Sequence, residues 1–226
     1  MPAAAPAVTA FDVDGTLTWT DTYLLFLRAW AGRAGFAARM AALGPAAALE
    51  KPGLISRNAL KAASVRAFFA GADAARFAAR ADWFGRHVIA PCLLRADGRA
   101  AVAAAKARGA GPVVLVSASL EDYLRPVAQA LGADGVLATR LERGPDGRLT
   151  GAIAGRNCRA EEKLARLHAA FGPQMRLVAA YGDTSGDHAM LAAAETASYR
   201  AFTDRPADAL GRLAGLYLGG GLSAGE

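Results

Sequence analysis

The chain has 226 residues, enough for one hydrophobic core with a modest inserted module. Hydrophobic residues make up 54% of it, but no stretch approaches the roughly 18 uncharged apolar residues that a membrane span needs. The net charge of +6 suits an anionic partner, yet no basic run interleaves with aromatic residues, so we expect no nucleic-acid binding.

The N-terminal segment leads directly into a paired-acid motif. Residues 1–6 have neither the basic region nor the apolar core of a secretory signal, so we expect a cytoplasmic protein. Residues 7–11 are apolar and predict a buried strand, after which Asp12 and Asp14 precede Gly15. Carboxylates at a strand end can hold a hard cation, and one of them can attack phosphorus. The alternative interpretation is an Asp-Gly turn with a neighbouring acid.

The next part of the chain, residues 21–94, shows only helical signals, and we call it the helical insert. Asp21 can cap a helix over residues 22–30. Further helices are predicted over 56–70 and 73–89, with a break at Pro91. Glycines and prolines divide the remainder into short helical pieces, at Gly32, Gly35, Gly44-Pro45 and Pro52-Gly53.

Alternation of strands and helices resumes after the insert. Predicted helices cover 98–108, 120–131, 160–171 and 188–194, and predicted strands cover 112–116, 135–139, 176–181 and 197–202. The turn signal Pro145-Asp146-Gly147 predicts a β-hairpin over 141–153. This order is typical of an α/β fold with a parallel sheet and right-handed crossovers. Residues 211–226 form a C-terminal tail, and we expect its glycine-rich end, residues 219–226, to be frayed.

Further polar residues fall at strand ends or helix starts. Ser117 follows an apolar strand, where its hydroxyl and nearby N–H groups can hold a phosphate or simply cap a helix. Lys163 lies in the first turn of a helix, a position that is usually solvated and that the helix dipole disfavours. Asp183 and Asp187 follow another strand, so one can ligate a cation while the other orients that ligand or a water.

These residues together resemble a known family. Asp12-Val13-Asp14-Gly15-Thr16, Ser117, Lys163 and Gly182-Asp183 with Asp187 match, in order, the four motifs of the haloacid dehalogenase superfamily of phosphatases. The helical insert resembles its C1 cap. The stretches 114–119, 138–142 and 157–163 resemble subfamily IB, the phosphoserine phosphatase-like branch, and within it the phosphatidylglycerophosphatase C-like members. The resemblance implies a Rossmann-like catalytic core of residues 7–20 and 95–210 and an all-helical cap of residues 21–94.

The resemblance also implies a role for each motif residue. Asp12 attacks phosphorus, and Asp14 protonates the leaving oxygen and then deprotonates the hydrolytic water. Magnesium is bound by the Asp12 carboxylate, the Asp14 backbone carbonyl and Asp183, with support from Asp187. The phosphoryl group is held by Gly15, Thr16, Ser117, Ala118 and Lys163.

Several positions depart from the phosphoserine phosphatase pattern. Gly15 replaces the usual serine, Asp21 stands where a glutamate reads the substrate's amino group, and Ala118-Ser119 replaces two glycines. We therefore expect a polyol phosphate or a lipid headgroup such as a phosphatidylglycerophosphate, the latter met in transient membrane-surface contact, with Asp21 selecting the substrate or only capping a helix. The alternatives are a phosphoserine phosphatase, a broad small-metabolite phosphatase, and an idle binding or regulatory module on the same fold.

The remaining candidates carry weaker signals. Cys92 and Cys158 are expected to be free thiols, and His87, His168 and His188 show no metal-ligand spacing. Arginines of the helical insert could read an anionic leaving group, namely Arg33, Arg39, Arg57 and Arg66. Apolar residues of the same insert are expected to pack inside it rather than to face a membrane, namely Trp30, Phe36, Met40 and Leu43. The sequence carries no signal for an oligomeric state.

Overall fold

A computed structural model describes residues 5–50, 52–206 and 211. The central sheet has five strands, namely β1 (Ala7–Phe11), β2 (Val113–Leu120), β3 (Gly135–Thr139), β6 (Arg176–Gly182) and β7 (Thr196–Tyr199). They are all parallel and lie in the order β3-β2-β1-β6-β7. The expected α/β fold with a parallel sheet is confirmed, and most predicted core elements lie within a few residues of their observed bounds.

The remaining core elements surround this sheet. The helices are α4 (Ala96–Arg108), α5 (Glu121–Leu131), α6 (Glu161–Phe171) and α7 (His188–Ala192), the last preceded by a 3₁₀ turn over Ser185–Asp187. The predicted hairpin is formed by β4 (Leu141–Arg143) and β5 (Leu149–Ile153), which pair antiparallel apart from the main sheet. The segment expected to be frayed, residues 219–226, lies outside the described residues.

The helical insert contains α1 (Thr22–Glu50), α2 (Arg57–Phe69) and α3 (Ala74–Phe84), followed by a π-helical segment over Gly85–Leu93. Side chains cap two of these helices: Ser56 accepts a hydrogen bond from the Ala59 N–H, and Asp73 accepts one from the Arg76 N–H. The insert packs on α5 through an aromatic cluster in which the ring centroids of Phe26 and Tyr123 are 5.1 Å apart. This packing fixes the insert against the sheet edge where β2 ends.

Two predictions about the insert are wrong. The break predicted at Gly32 is observed, because its backbone is non-helical (φ +69°) and divides α1 into two halves, but the second half continues to Glu50 through the breaks predicted at Gly35 and Gly44-Pro45. The alanine-rich sequence after the kink has high helix propensity, and Pro45 is accommodated within the helix. Pro91 does not end a helix either, because it lies inside the π-helical segment, which continues to Leu93.

Candidate active site

The predicted site residues meet at the carboxyl edge of the sheet. Asp12 follows β1, Asp183 follows β6 and Ser117 lies in β2, and these three strands are neighbours. The crevice at this edge is where open α/β sheets bind ligands. It holds a cavity of about 470 Å³ whose lining includes Asp12, Asp14, Gly15, Asp21, Ser117, Ala118, Lys163, Asp183 and Asp187.

Lys163 lies at the centre of a buried ionic triad. Its Nζ donates to Asp12 Oδ1 at 2.5 Å and to Asp187 Oδ1 at 2.6 Å, and the lysine side chain is only 2% exposed. Lys163 is therefore buried, whereas a lysine in the first turn of a helix is usually solvated. The start of α6 is tied to the Asp187 turn, since the Ala160 N–H donates to the Gly186 carbonyl at 2.8 Å. That link places Lys163 beneath both carboxylates.

Asp12 is also held from the other side, by the first motif itself. Thr16 Oγ1 donates to Asp12 Oδ2 at 2.9 Å, so Thr16 acts on Asp12 rather than lining the cavity. Gly15 has φ of +82°, and a Cβ there would overlap the Asp183 carboxylate. The backbone conformation therefore favours glycine, and a larger residue here would displace the Asp183 carboxylate from its observed position.

Asp187 organises the loop after β6. Its Oδ2 accepts hydrogen bonds from the backbone N–H groups of Asp183 and Thr184, at 3.2 and 3.0 Å, and from the Thr184 hydroxyl at 3.1 Å. With Oδ1 engaged by Lys163, both of its oxygens have partners within the protein. Asp183 is less constrained, since it accepts only a long hydrogen bond of 3.5 Å from Thr16 among those seen at this site.

The electrostatics of this cluster favour a bound cation. Ligand oxygens of Asp12, Asp183 and Asp187 all lie within 4.8 Å of one another. Burial raises the pKa of Asp12 to about 6 against the lowering effect of Lys163, and burial with repulsion from Asp12 and Asp187 raises the pKa of Asp183 to about 6. Burial tends to lower the pKa of Lys163, but the two carboxylates outweigh it and hold that pKa above its usual value. One ammonium does not neutralise three acids, and the all-oxygen donor set fits a hard divalent ion such as Mg²⁺.

Asp14 is fixed separately from the ionic triad. Its Oδ1 accepts from the Thr22 N–H at 2.8 Å, and its Oδ2 accepts a short hydrogen bond from the Ser119 hydroxyl. Ser119 also approaches Thr22 Oγ1 at 3.3 Å, so the start of α1 and the end of β2 hold this carboxyl together. Burial, with the charge of Asp21, raises the pKa of Asp14. A carboxyl that retains its proton more readily is suited to protonate a leaving group.

Ser117 lies within strand β2 and not, as the sequence predicted, after its end. It was expected after a strand ending at Val116, but β2 continues to Leu120, with a register shift against β3 between Ser117 and Leu120. Ser117 Oγ accepts from the Ser119 N–H at 3.1 Å, and Ser117 is 1% exposed while still lining the cavity. The irregular end of β2 therefore presents both serines to the site.

The helical insert contributes further lining residues that sequence reasoning did not assign to the site. Tyr23 and Lys61 face the cavity, together with Arg57, one of the four arginines considered for this role. The Lys61 ammonium lies 2.9 Å from the centroid of the Tyr23 ring, and burial lowers the pKa of Lys61 to about 7. No local motif marks Lys61, because only the folding of α2 over the sheet edge brings it there. Asp21 accepts from the Leu24 N–H at 3.0 Å, which is the predicted helix cap, and it also lines the cavity, while its selection of the substrate stays a prediction.

Three core segments also reach the cavity, through Thr20 after β1, Asn157 and Arg159 before α6, and Thr184 and Gly186 after β6. Asn157 and Arg159 belong to the stretch before Lys163 that resembled subfamily IB, and this stretch was the available signal for them. Asn157 is buried, accepts a hydrogen bond from Thr139 at 2.9 Å and donates one to Asn58 of the insert at 2.8 Å. It therefore joins the core to the insert at the cavity wall.

Apart from Arg57, the weaker candidates do not line the cavity. Cys92 and Cys158 are free and buried, as expected, and none of the histidines lines this cavity. Within the insert, Leu43 is buried, and three large side chains pack against the core as partly buried residues, namely Trp30, Phe36 and Met40. Packing inside the insert is therefore confirmed for this group.

Comparisons with known proteins agree with this geometry. A family model described as haloacid dehalogenase-like hydrolase matches residues 9–192. The chain is 44% identical over 208 residues to Protein CicA of Caulobacter vibrioides, covering 89% of each chain. A crystal structure of a protein of unknown function from Bordetella pertussis Tohama I superposes with a TM-score of 0.69 at 25% identity, covering 93% of this chain and 95% of that one. A probable phosphoserine phosphatase from Vibrio cholerae shares the fold, with a TM-score of 0.61 at 18% identity over 97% of this chain and 67% of its own.

Proposed function

The chain belongs to the haloacid dehalogenase-like hydrolase family, and from that premise we propose that it is a Mg²⁺-dependent phosphomonoester hydrolase working through an aspartyl-phosphate. One observation carries the proposal. Asp12, at the carboxyl end of β1, is held between Lys163 and Thr16 in a cavity that Asp14 also lines. That arrangement offers a fixed carboxylate nucleophile with a second carboxyl beside it, whose pKa burial raises above its usual value. We place the protein in the phosphoserine phosphatase-like branch, subfamily IB.

The proposed reaction has two steps. In the first, an oxygen of Asp12 forms a bond to phosphorus as the bond to the leaving oxygen breaks, and Asp14 gives that oxygen its proton. In the second, Asp14 takes a proton from a water that attacks the phosphorus, which releases phosphate and restores the Asp12 carboxylate. Lys163 and Ser117 are placed to hold phosphoryl oxygens, so most of the catalysis comes from positioning and charge neutralisation.

The acidic cluster supports the metal in this proposal. Asp183, the least constrained of its three carboxylates, and Asp12 would hold Mg²⁺ together with the Asp14 backbone carbonyl, while Asp187 fixes the loop. When bound, the ion would offset the negative charge that the carboxylates and the phosphoryl group bring together.

The substrate proposal rests on the helical insert. We propose that residues 21–94 form a cap over a core of residues 7–20 and 95–210, and that Asp21, Arg57 and Lys61 face the leaving group. Asp21 has a shorter side chain than the glutamate of the phosphoserine pattern, and its Oδ1 accepts from Leu24 N–H. This favours a polyol phosphate or a phosphorylated lipid headgroup over phosphoserine.

The location of the protein is likewise proposed. In the described part of the chain, no helix is both long and apolar enough to cross a membrane. We propose a cytoplasmic protein that would meet a lipid substrate only in transient contact at the membrane surface.

The test is hydrolysis of a generic aryl phosphate by purified protein with and without Mg²⁺. We expect Mg²⁺-dependent turnover by the wild type and none by Asp12→Asn, because an amide cannot attack phosphorus. Asp82→Asn is the matched control, since Asp82 is 47% exposed on α3 and pairs only with Arg86 among the ion pairs seen. Activity of Asp12→Asn within about tenfold of wild type, a difference of only ~1.4 kcal/mol in the barrier, would exclude Asp12 as the nucleophile. A wild type without turnover would favour the idle module.

A further inference from the structure

A second cavity, of about 330 Å³, lies in the helical insert beside the catalytic cavity. Its walls are mainly aliphatic and come from the two longest helices of the insert. The aliphatic lining consists of Leu24, Leu27, Met40, Leu43 and Ala47 of α1 and Leu60 of α2. Met40, Leu43 and Ala47 are spaced three and four residues apart, which places them on one face of the second half of α1.

The two cavities adjoin at one row of side chains. Asp21, Tyr23, Arg57 and Lys61 line both the catalytic cavity and the insert cavity. A molecule whose phosphate lies at Asp12 would therefore reach the insert cavity by passing these four residues. Arg57 is long and 64% exposed, so it can move aside at small cost, whereas the Lys61 ammonium lies over the Tyr23 ring and the Tyr23 hydroxyl is hydrogen bonded to Ser64 Oγ at 2.8 Å.

The polar groups around the insert cavity already have partners within the protein. Arg57 Nε donates to Glu50 Oε1 at 3.0 Å, and the Asp21 carboxylate accepts from the Leu24 N–H at 3.0 Å. The Lys61 ammonium lies over the Tyr23 ring. A polar ligand in this cavity would lose its hydrogen bonds to water and gain few in return, whereas an apolar ligand loses nothing and covers aliphatic surface. Leu24, which is 46% exposed, is part of that surface.

We infer that the insert cavity binds an apolar segment of the leaving group of the substrate. This inference rests on the proposed phosphomonoester hydrolysis and adds the chemical class of the alcohol that is released. At about 30 Å³ for each water-sized group, the cavity has room for roughly ten non-hydrogen atoms. The preferred substrate is therefore a phosphate monoester that carries a short alkyl or aryl segment beyond its polar end.

The test is the dependence of kcat/KM on chain length in soluble n-alkyl phosphates from ethyl to octyl, assayed below their micelle concentrations. We expect kcat/KM to rise about fourfold for each methylene that enters the cavity and then to level off when it is full. A flat series with clear turnover of every member would overturn the inference and leave the phosphatase proposal intact. Absence of turnover with every ester would overturn both.

Two variants locate the effect. Ala47→Phe should fill the cavity and flatten the chain-length series, whereas Ala48→Phe, an exposed neighbour on the same helix, should keep the wild-type slope. Leu24→Gln is a second test variant, at a partly exposed position that tolerates a polar side chain. It should reduce the rise of kcat/KM with chain length even if Ala47→Phe fails to fold. An unchanged slope in Leu24→Gln, or equal slopes in the two alanine variants when both fold, would overturn the assignment.

A final comparison distinguishes a soluble ester from a membrane lipid as the source of the apolar segment. A diacyl phosphate lipid presented in phosphatidylcholine vesicles should give no gain over octyl phosphate, because the cavity holds only a short segment. If the vesicle lipid alone were hydrolysed efficiently while the alkyl series stayed flat, the cavity would not be the binding site. The exposed side chains of Leu49 and Leu54 would then be the apolar surface to test.

Discussion

Replacing Lys163 with methionine removes the cation between two buried carboxylates and keeps a side chain of similar length. The ammonium is 2.5 Å from Asp12 and 2.6 Å from Asp187, and the three side chains are 2%, 8% and 1% exposed. Because water cannot replace the lost partner there, we expect the free energy of unfolding at pH 7.5 to fall by about 3–5 kcal/mol. For a protein of this size that corresponds to a drop in Tm of about 6–20 °C.

The loss should depend on pH with a definite sign. Without Lys163 the pKa of Asp12, already raised to about 6, rises further in the folded state. A carboxyl whose folded pKa lies above its unfolded value of about 3.9 stabilises the fold at low pH and loses that contribution as the pH rises. The deficit of Lys163→Met relative to wild type should therefore be larger at pH 8 than at pH 5, measured by thermal unfolding followed by circular dichroism without Mg²⁺.

A surface ion pair provides the matched control. Lys106 lies 2.5 Å from Asp134, but these side chains are 37% and 39% exposed. Lys106→Met should cost no more than about 1 kcal/mol, because solvent screens such a pair. If the two variants lose the same stability, or if Lys163→Met melts with the wild type, the argument from burial is refuted.

Further predictions concern the metal and the proton donor. Asp183→Ala should weaken Mg²⁺ binding, measured as the Mg²⁺-dependent rise in Tm. Asp187→Ala should lower Tm even without Mg²⁺, because Asp187 accepts three hydrogen bonds in its own loop. Equal Mg²⁺ titrations for the two variants would contradict this prediction. The stabilisation by Mg²⁺ should shrink below about pH 6, since burial raises the pKa of both Asp12 and Asp183 to about 6 and a protonated carboxyl is a poor ligand. A Mg²⁺-dependent rise in Tm of equal size at pH 5 and pH 7.5 would count against this prediction. Ser119→Ala should lower kcat by about tenfold to a hundredfold with little change in KM, because Asp14 loses the hydroxyl that positions it; an unchanged kcat would exclude that role.

The fold was largely predictable because its core elements carry local signals. The strand at residues 7–11, the hairpin around Pro145-Asp146-Gly147 and the helix before Phe171 all occur where propensity and turn chemistry indicate them. The insert was predicted as helical and its break at Gly32 was predicted with it, but Gly35 and Pro45 lie within the second half of α1 and do not break it. The high helix propensity of the surrounding alanines outweighs these two local signals.

Some residues of the candidate site could be predicted from the sequence and others could not. Asp12, Asp14, Asp183 and Asp187 could be proposed from sequence because each follows an apolar strand, and strand ends meet at one edge of a parallel sheet. Ser119 and Lys61 could not, because neither belongs to a motif with its own chemistry. They reach the cavity only through the irregular end of β2 and the packing of α2.

Sequence alone therefore determined which chemical groups this protein brings to the carboxyl edge of its sheet, since strand ends and helix starts are written locally in the chain. The tertiary structure decided how those groups are charged and what surrounds them. Lys163 would be solvated in an isolated helix, but it becomes the buried partner of Asp12 and Asp187 once α6 is tied to the loop after β6. The aliphatic cavity of the insert likewise exists only after α1 and α2 pack, because contacts between distant segments define it.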